Sequence, residues 1–365
     1  MAKKGTLCQK VPVYGSAATA TSKNIGPIGD VDEDVAVQVR DLDQTVLGNP
    51  AHDLVRLGLS LAMAARESDL PGVTTAKMLE EMIVGYQASL LGRPQQPSNG
   101  RGPKKPESIR IVLKKALRRT WKDLFEERLE DTTPDIPLGA HFWPLSATEK
   151  KVVKELFSSN DVRRLVTLPS VYDGNAGIEV VDAAHWVKGC SSLGRIRIAV
   201  LVRVEGPAGS KRKICLVDVK EAATAIAPHY KDARMPRSNA ERIVMGAKHL
   251  APALGKRMLA ARLYGKAVFL RELLPQDLKF DLKNLCEKEA MKIARYLAVV
   301  VGQAHARQLD GSGRASWKRE LDRHHTKSLD APSWLWASVV DLVAIHEVAY
   351  LAHCRKCAMV RARQT

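Results

Sequence analysis

Two stretches, IRIAVLVRV (Ile196–Val204) and KICLVDVKEA (Lys213–Ala222), constrain the fold most. Successive side chains of a strand point to opposite faces, so the first stretch sets Ile196, Ile198, Val200, Val202 and Val204 on one side. A Gly-Pro-Ala-Gly-Ser loop separates the two stretches, and the pattern predicts an antiparallel hairpin. The second strand is apolar from Ile214 to Val217 and turns polar at its end, with Asp218 and the cation Lys220.

The same alternation marks VAVQVRDLD, with Val35, Val37 and Val39 on the half-buried side of a strand that ends at Asp41 and Asp43. NPAHDLVRLGLSLAMAARES opens with an Asn-Pro cap and first-turn pair, then sets Leu54, Leu57, Leu61 and Ala65 on one helical face. A second helix follows around TTAKMLEEMIVGYQASLL. The run Gly92–Pro106 is rich in proline and glycine and reads as an exposed connection. Beyond it, ESIRIVLKKALRRTWKDLFEERLE is predicted as one amphipathic helix, with Val112, Leu113, Leu117, Trp121, Leu124 and Phe125 on its apolar side. AVFLREL is a further strand, NAERIVMGAKHLAPAL a helix, and the last part of the chain is helical. These elements predict an α+β fold with an irregular arm over 1–30, a helical part over 31–160, a sheet-rich block over 161–275 and a helical block over 276–365.

The chain of 365 residues carries 57 lysines and arginines against 40 acidic residues, a net charge of +17. Such a charge attracts phosphate-rich partners. Aromatic residues make up 5% and stand singly, which gives no stacking platform for bases. Nucleotide or a small anion therefore ranks above nucleic acid, and a basic nucleic-acid-associated protein is kept as an alternative on charge alone. The start of the chain shows no secretory signal, and no uninterrupted apolar run reaches membrane-spanning length. The six scattered cysteines read as reduced thiols, and the expectation is a cytoplasmic protein without a membrane.

Several residues could carry chemistry. Gly189, Ser191, Ser192 and Gly194 stand just ahead of a strand, where small residues let backbone amides approach a phosphate; an ordinary turn uses the same residues. A strand lysine over a glycine-rich turn, positioned by a helix carboxylate, is a layout that fixes nucleotide phosphates. Lys220 fits it, with Glu241 of the next helix as the candidate partner. Asp41 and Asp43 suit a hard cation, or else merely end a strand and cap a turn. Cys354 and Cys357, near His346 and His353, lack a second Cys-x-x-Cys pair and read as core or surface thiols more readily than as a metal site. His305 and Arg307 in GQAHARQ either face the site or make structural hydrogen bonds at a helix end, the second being the more common use of such a pair.

Taken together, RDLDQT, PAHDLVRLGLSLA, VKGCSSLGR, VDVKEA, NAERIV, LRELLPQDLK and GQAHARQLD resemble the bacterial family called domain of unknown function 2252, related to the protein-kinase-like superfamily. The resemblance runs from about Asn24 to the C-terminal helices. It implies a two-lobe kinase-like fold, with a small antiparallel sheet lobe and a larger helical lobe, and Mg-ATP-dependent phosphoryl transfer to an unknown small-molecule or protein acceptor. By resemblance Asp41 is the metal ligand, Asp43 a supporting carboxylate and Asn24 the catalytic-loop asparagine. Since RDLD precedes KGCSSLG here, the fold it implies is circularly permuted.

One part of the pattern is missing. The small-molecule kinase branch carries Gly-Asp-x-His-x-x-Asn, and counting back from Asn24 finds Ala18, Thr19 and Thr21 where Gly, Asp and His belong. Without the carboxylate nothing in the motif accepts the acceptor's proton, a loss of about 10²- to 10⁴-fold in rate. The expectation is therefore impaired transfer, with a catalytically inactive nucleotide-binding relative as the alternative. Read two bases later, the codons of Ser16–Ser22 can spell Cys-Gly-Asp-Cys-His-Val. A truncated or frame-disrupted N-terminus thus stands beside an ordinary small-residue arm.

Overall fold

The computed structural model describes residues 13–15, 21–30, 34–91, 105–129, 135–167, 177–189, 193–205, 213–280, 282, 284–323 and 330–362. Among them the protein is a mixed α/β fold of eleven helices and three antiparallel sheets. The largest sheet has six strands: β5 (Phe142–Pro144), β6 (Ile178–Trp186), β7 (Arg197–Val204), β8 (Lys213–Glu221), β9 (Met258–Leu263) and β10 (Lys266–Leu273), in the order β5-β6-β7-β8-β10-β9.

Register assigns the two faces of this sheet. Ile198 pairs with Val219, which is followed across the sheet by Leu270, while Arg197, Lys220 and Phe269 lie in line one residue away. The first row packs against helices α5 (Ala147–Phe157) and α6 (Asn160–Thr167) through Val153, Phe157, Val162 and Leu165. The opposite face is apolar at one end, where Leu201, Leu216 and Leu273 meet Leu124, Phe125 and Leu129 of α4 (Trp121–Leu129). At its other end it is charged. The tight β9–β10 connection holds Tyr264 at φ 51° and Gly265 at φ 74°, the backbone that a two-residue hairpin with right-handed strand twist requires.

The second part is built on a helix pair, α2 (Gly72–Leu91) and α9 (Glu287–Ala306), with α1 (Ala51–Glu67), α3 (Glu107–Arg118), α7 (Asn239–Leu250), α10 (Gly311–Arg323) and α11 (Ser333–Ala362) around it. Any side chain at Gly85 would collide with the Arg295 carbonyl, so glycine sets how closely α2 and α9 approach. Leu54, Leu57, Leu61 and Ala65 are all fully buried, as the helical spacing predicts. Pro252–Gly255 forms the short helix α8.

Two sequence expectations are corrected. The stretch read as an irregular arm contains β1 (Val13–Gly15), paired with β4 (Val46–Gly48), and β2 (Ile25–Gly29), paired with β3 (Val35–Val39). β2 is buried along its whole length, so IGPIG shows no alternation to read. The single amphipathic helix is two helices, broken at Arg119–Thr120. Thr120 and Asp123 exchange bonds as a capping box, with Thr120 N donating to Asp123 Oδ2 at 2.7 Å and Asp123 N to Thr120 Oγ1 at 3.4 Å. α3 then buries Ile109 and Leu113 in the helical core while α4 covers the sheet, and Leu117 is left 62% exposed. Among the described residues one helix, over Ser333–Met359, is long and apolar enough to cross a membrane by length and composition, with Asp341 and Glu347 interrupting its apolar run. Its first turns bury Leu335 and Val339, and Val348, Tyr350 and Leu351 are exposed.

Candidate functional site

The β2–β3 hairpin builds one wall of the site. Ile25 pairs with Val39, so the residues just outside the ladder, Asn24 and Arg40, face each other, and Arg40 N donates to Asn24 O at 2.8 Å. Asp41, buried Leu42 and Asp43 follow. A turn closes this loop, with Thr45 N and Oγ1 both donating to Leu42 O, at 3.0 and 2.6 Å. Arg242 of α7 ties the loop to the sheet, donating to the carbonyls of Thr45, Asp43 (3.2 Å) and Ala223 (2.8 Å).

The charged end of the six-stranded sheet is the other wall. Arg197, Lys220 and Phe269 form one row across β7, β8 and β10, and Ala199, Asp218 and Arg271 form the next on the same face. Lys220 is ion-paired with Asp43 across the cleft and lies 6.0 Å from the Phe269 ring. Arg197 grips Asp218 with two bonds, 3.0 and 2.6 Å. Lys188, just past β6, and Arg197 both lie over Trp186, at 4.3 and 4.8 Å. Between the walls is a cavity of about 340 Å³, whose lining includes Asn24, Asp41, Asp43 and Lys220.

Seven cationic side chains line this cavity against four carboxylates. The crowding is visible in their protonation. Burial, then the Arg271 charge, brings Arg40 down to about 10. Burial, then Arg128, brings Lys188 down to about 7. Asp277 is fully enclosed; burial opposes its charge, but Arg257, Arg271 and Arg40 hold it down to about 2. Its carboxylate accepts from Arg257 at 2.9 Å and from Arg271 at 3.0 Å, and Arg40 donates to its carbonyl at 3.2 Å. Asp41 is pushed the other way, above the carboxylate range, by burial first and the Asp43 charge second. A cation held between Asp41 and Asp43 would relieve both effects. The donors offered there are hard oxygens, two carboxylates and the Asn24 amide, the donor type that suits Mg²⁺.

The structure thus brings together Asn24, Asp41, Asp43 and Lys220. It does not bring Glu241 to Lys220: Glu241 is exposed in the first turn of α7, and no ion pair joins the two among the described residues. From α7, Ile243 lines the cavity, and buried Arg242, next to Glu241, holds the backbone of the Asp43 loop. Sequence reading favoured a carboxylate because a lysine wants a counter-charge, and that counter-charge comes from Asp43. Gly189 and Gly194 both adopt positive φ, 71° and 70°, a backbone that glycine adopts without strain. Neither is among the described residues that line the cavity. Ser191, Ser192, Thr19 and most of the frame-shift stretch lie outside the described residues.

Arg40, Lys188, Arg197 and Arg271 were not singled out from sequence. The strand alternation that identified Lys220 also puts Arg197 and Arg271 on its face, and that was the available signal. His305 is structural: it bridges Asp53 (2.9 Å) and Tyr86 (2.8 Å) in the helical core, and Trp317 donates to Tyr86 at 2.9 Å. Arg307 donates to Leu250 O at 3.1 Å. Cys354 and Cys357 are exposed thiols on α11, with Cys357 Sγ 3.5 Å from His353 Nε2. No group of three or more His, Cys, Asp or Glu side chains suited to a metal occurs among the described residues.

Residues 20–356 match the sequence model of a bacterial family described as an uncharacterised protein conserved in bacteria, DUF2252. No curated protein and no solved structure matches the chain significantly.

Proposed function

The chain belongs to the DUF2252 family, and we propose that it binds Mg-ATP in the cleft between Asp41 and Lys220. In this reading the fold is protein-kinase-like and circularly permuted, with the six-stranded sheet as its small lobe, and the chemistry is phosphoryl transfer to an acceptor. One observation carries the proposal. Lys220 from the sheet and Asp43 from the hairpin loop, 177 residues apart in sequence, meet in one cation-rich cavity beside Asp41 and Asn24.

Each residue has a task. Lys220 exchanges its Asp43 partner for phosphate oxygens, a short movement for a flexible ammonium. Asn24, Asp41 and Asp43 would hold Mg²⁺, which supplies charge neutralisation on the phosphates when bound. Phe269 and Met258 give the cavity an apolar patch beside these charges, where a nucleobase or ribose can pack. Arg242 keeps the loop of Asp43 fixed against the sheet. Arg40, which donates to the Asp277 carbonyl at 3.2 Å, fixes the floor.

Thr19, at the position of the expected base, favours a second form of the same reading, a nucleotide-binding relative that transfers slowly or not at all. A thermal-shift titration with Mg-AMP-PNP tests both forms: it should raise the melting temperature in the native protein and not in Lys220→Met. No shift in the native protein refutes the proposal. ADP formation from Mg-ATP then separates turnover from binding alone.

A further inference from the structure

Four cations concentrate on the sheet side of the cavity: Arg128 of α4, Lys188 after β6, Arg197 of β7 and Arg271 of β10. The carboxylates near them are already committed. Asp218 is held bidentately by Arg197, Asp277 is shared between Arg271 and Arg257, and Glu127 pairs with Arg128 at 3.1 Å, so these carboxylates already answer cations of the same wall and leave it with a net positive excess. The Nε–H groups of Arg128 and Arg271 are buried with no hydrogen-bond acceptor among the described residues. Trp186 stacks on Phe142, with ring centroids 5.8 Å apart, and backs Lys188 and Arg197, so these two heads sit over a packed ring instead of waving in solvent. Gathering like charges in a half-buried pocket destabilises the free protein, and burial first, then Arg128, already weakens the hold of Lys188 on its proton. A bound anion reverses both effects.

A metal-bound triphosphate has part of its charge cancelled by the metal, and in the reading above it takes Lys220. We propose, resting on that reading, that the remaining cations, Arg128, Lys188, Arg197 and Arg271, hold a second ligand: an anionic acceptor, a small molecule bearing carboxylate or phosphate groups. The same wall repels polyamines and other cationic acceptors.

An anionic acceptor also suits the chain's missing base. An ionised carboxylate or phosphate oxygen has no proton to surrender. That oxygen forms the new bond to the γ-phosphorus while the bond from the γ-phosphorus to the β–γ bridging oxygen breaks. The electron pair leaves with ADP, no proton changes hands, and the product is an acyl phosphate or a phosphoanhydride. Thr19 in place of a carboxylate is then no obstacle.

The test is a thermal-shift and affinity titration of the full chain at constant ionic strength, with inorganic phosphate and succinate as separate probes, each with and without saturating Mg-AMP-PNP. A probe should add its stabilisation to that of the analogue. Lys188→Met and Arg128→Met should each lose about tenfold in probe affinity, the scale of one charge-assisted hydrogen bond, and keep the response to the analogue. The preferred probe tells phosphate from carboxylate. If the probe's effect vanishes once the analogue saturates, the four cations belong to the triphosphate and the inference fails while the nucleotide site stands. If the probes act and the analogue does not, the nucleotide reading fails instead. Should a variant fail to fold, the Lys188 ε-CH₂ resonance in the native protein decides: with the analogue present, its titration midpoint must move upward when the preferred probe is added, and an unmoved midpoint overturns the proposal.

Discussion

Asp41 and Asp43 are one residue apart and live differently. Asp43 has the Lys220 ammonium, whereas Asp41 is held above the usual carboxylate range by burial and by the Asp43 charge. A carboxyl whose folded pKa is raised adds stability below its ordinary value near 3.8 and loses it as pH rises through the folded value. Cation binding has the opposite sign, because a proton and Mg²⁺ compete for the same oxygens. Magnesium affinity, measured by titration calorimetry on the nucleotide complex, should therefore fall as pH drops, beginning above the ordinary carboxylate range. In Asp41→Asn that pH dependence should disappear together with most of the affinity. At this scale the sequence was legible where a pattern places a side chain: alternation put Lys220 at the polar end of its strand, and RDLD showed its carboxylates directly. It was silent on pairing. Nothing in NAERIV tells that Arg242 turns inward and Glu241 outward, since that depends on where α7 lies over the loop of Asp43.

At the scale of elements, the break between α3 and α4 matters most to the site, because it lets α4 leave the helical core, cover the sheet and carry Arg128 to the cavity. Thr120 and Asp123 hold that break with a reciprocal cap. Thr120→Ala should cost about 1 kcal/mol in urea denaturation, the usual worth of such a cap, and an unchanged midpoint would show that the break is set by tertiary packing alone. The run from Glu107 to Leu129 keeps one helical period throughout, so its sequence gives no apolar sign that two different surfaces are being covered. Strands β7, β8 and β10 were readable as runs rich in Val, Ile, Leu and Phe with charged residues toward their ends. β2 was not, being buried on every residue and punctuated by glycine and proline.

For the whole molecule, the sheet and the helical body present complementary faces of one cleft, and the strand register carries Arg197, Lys220, Asp218 and Arg271 to it from three strands. The hairpin of β2 and β3 meets them with Asn24, Asp41 and Asp43. Such a convergence from distant parts of the chain is what sequence spacing cannot give, and here it supplies the reading of a nucleotide cleft. Calorimetric titration of Mg-AMP-PNP into the native protein, Lys220→Met and Asp41→Asn tests that reading most directly. Saturable one-to-one binding that requires Mg²⁺ and is lost in both variants is the expected result. Absence of binding to the native protein, or binding that neither substitution changes, would contradict it.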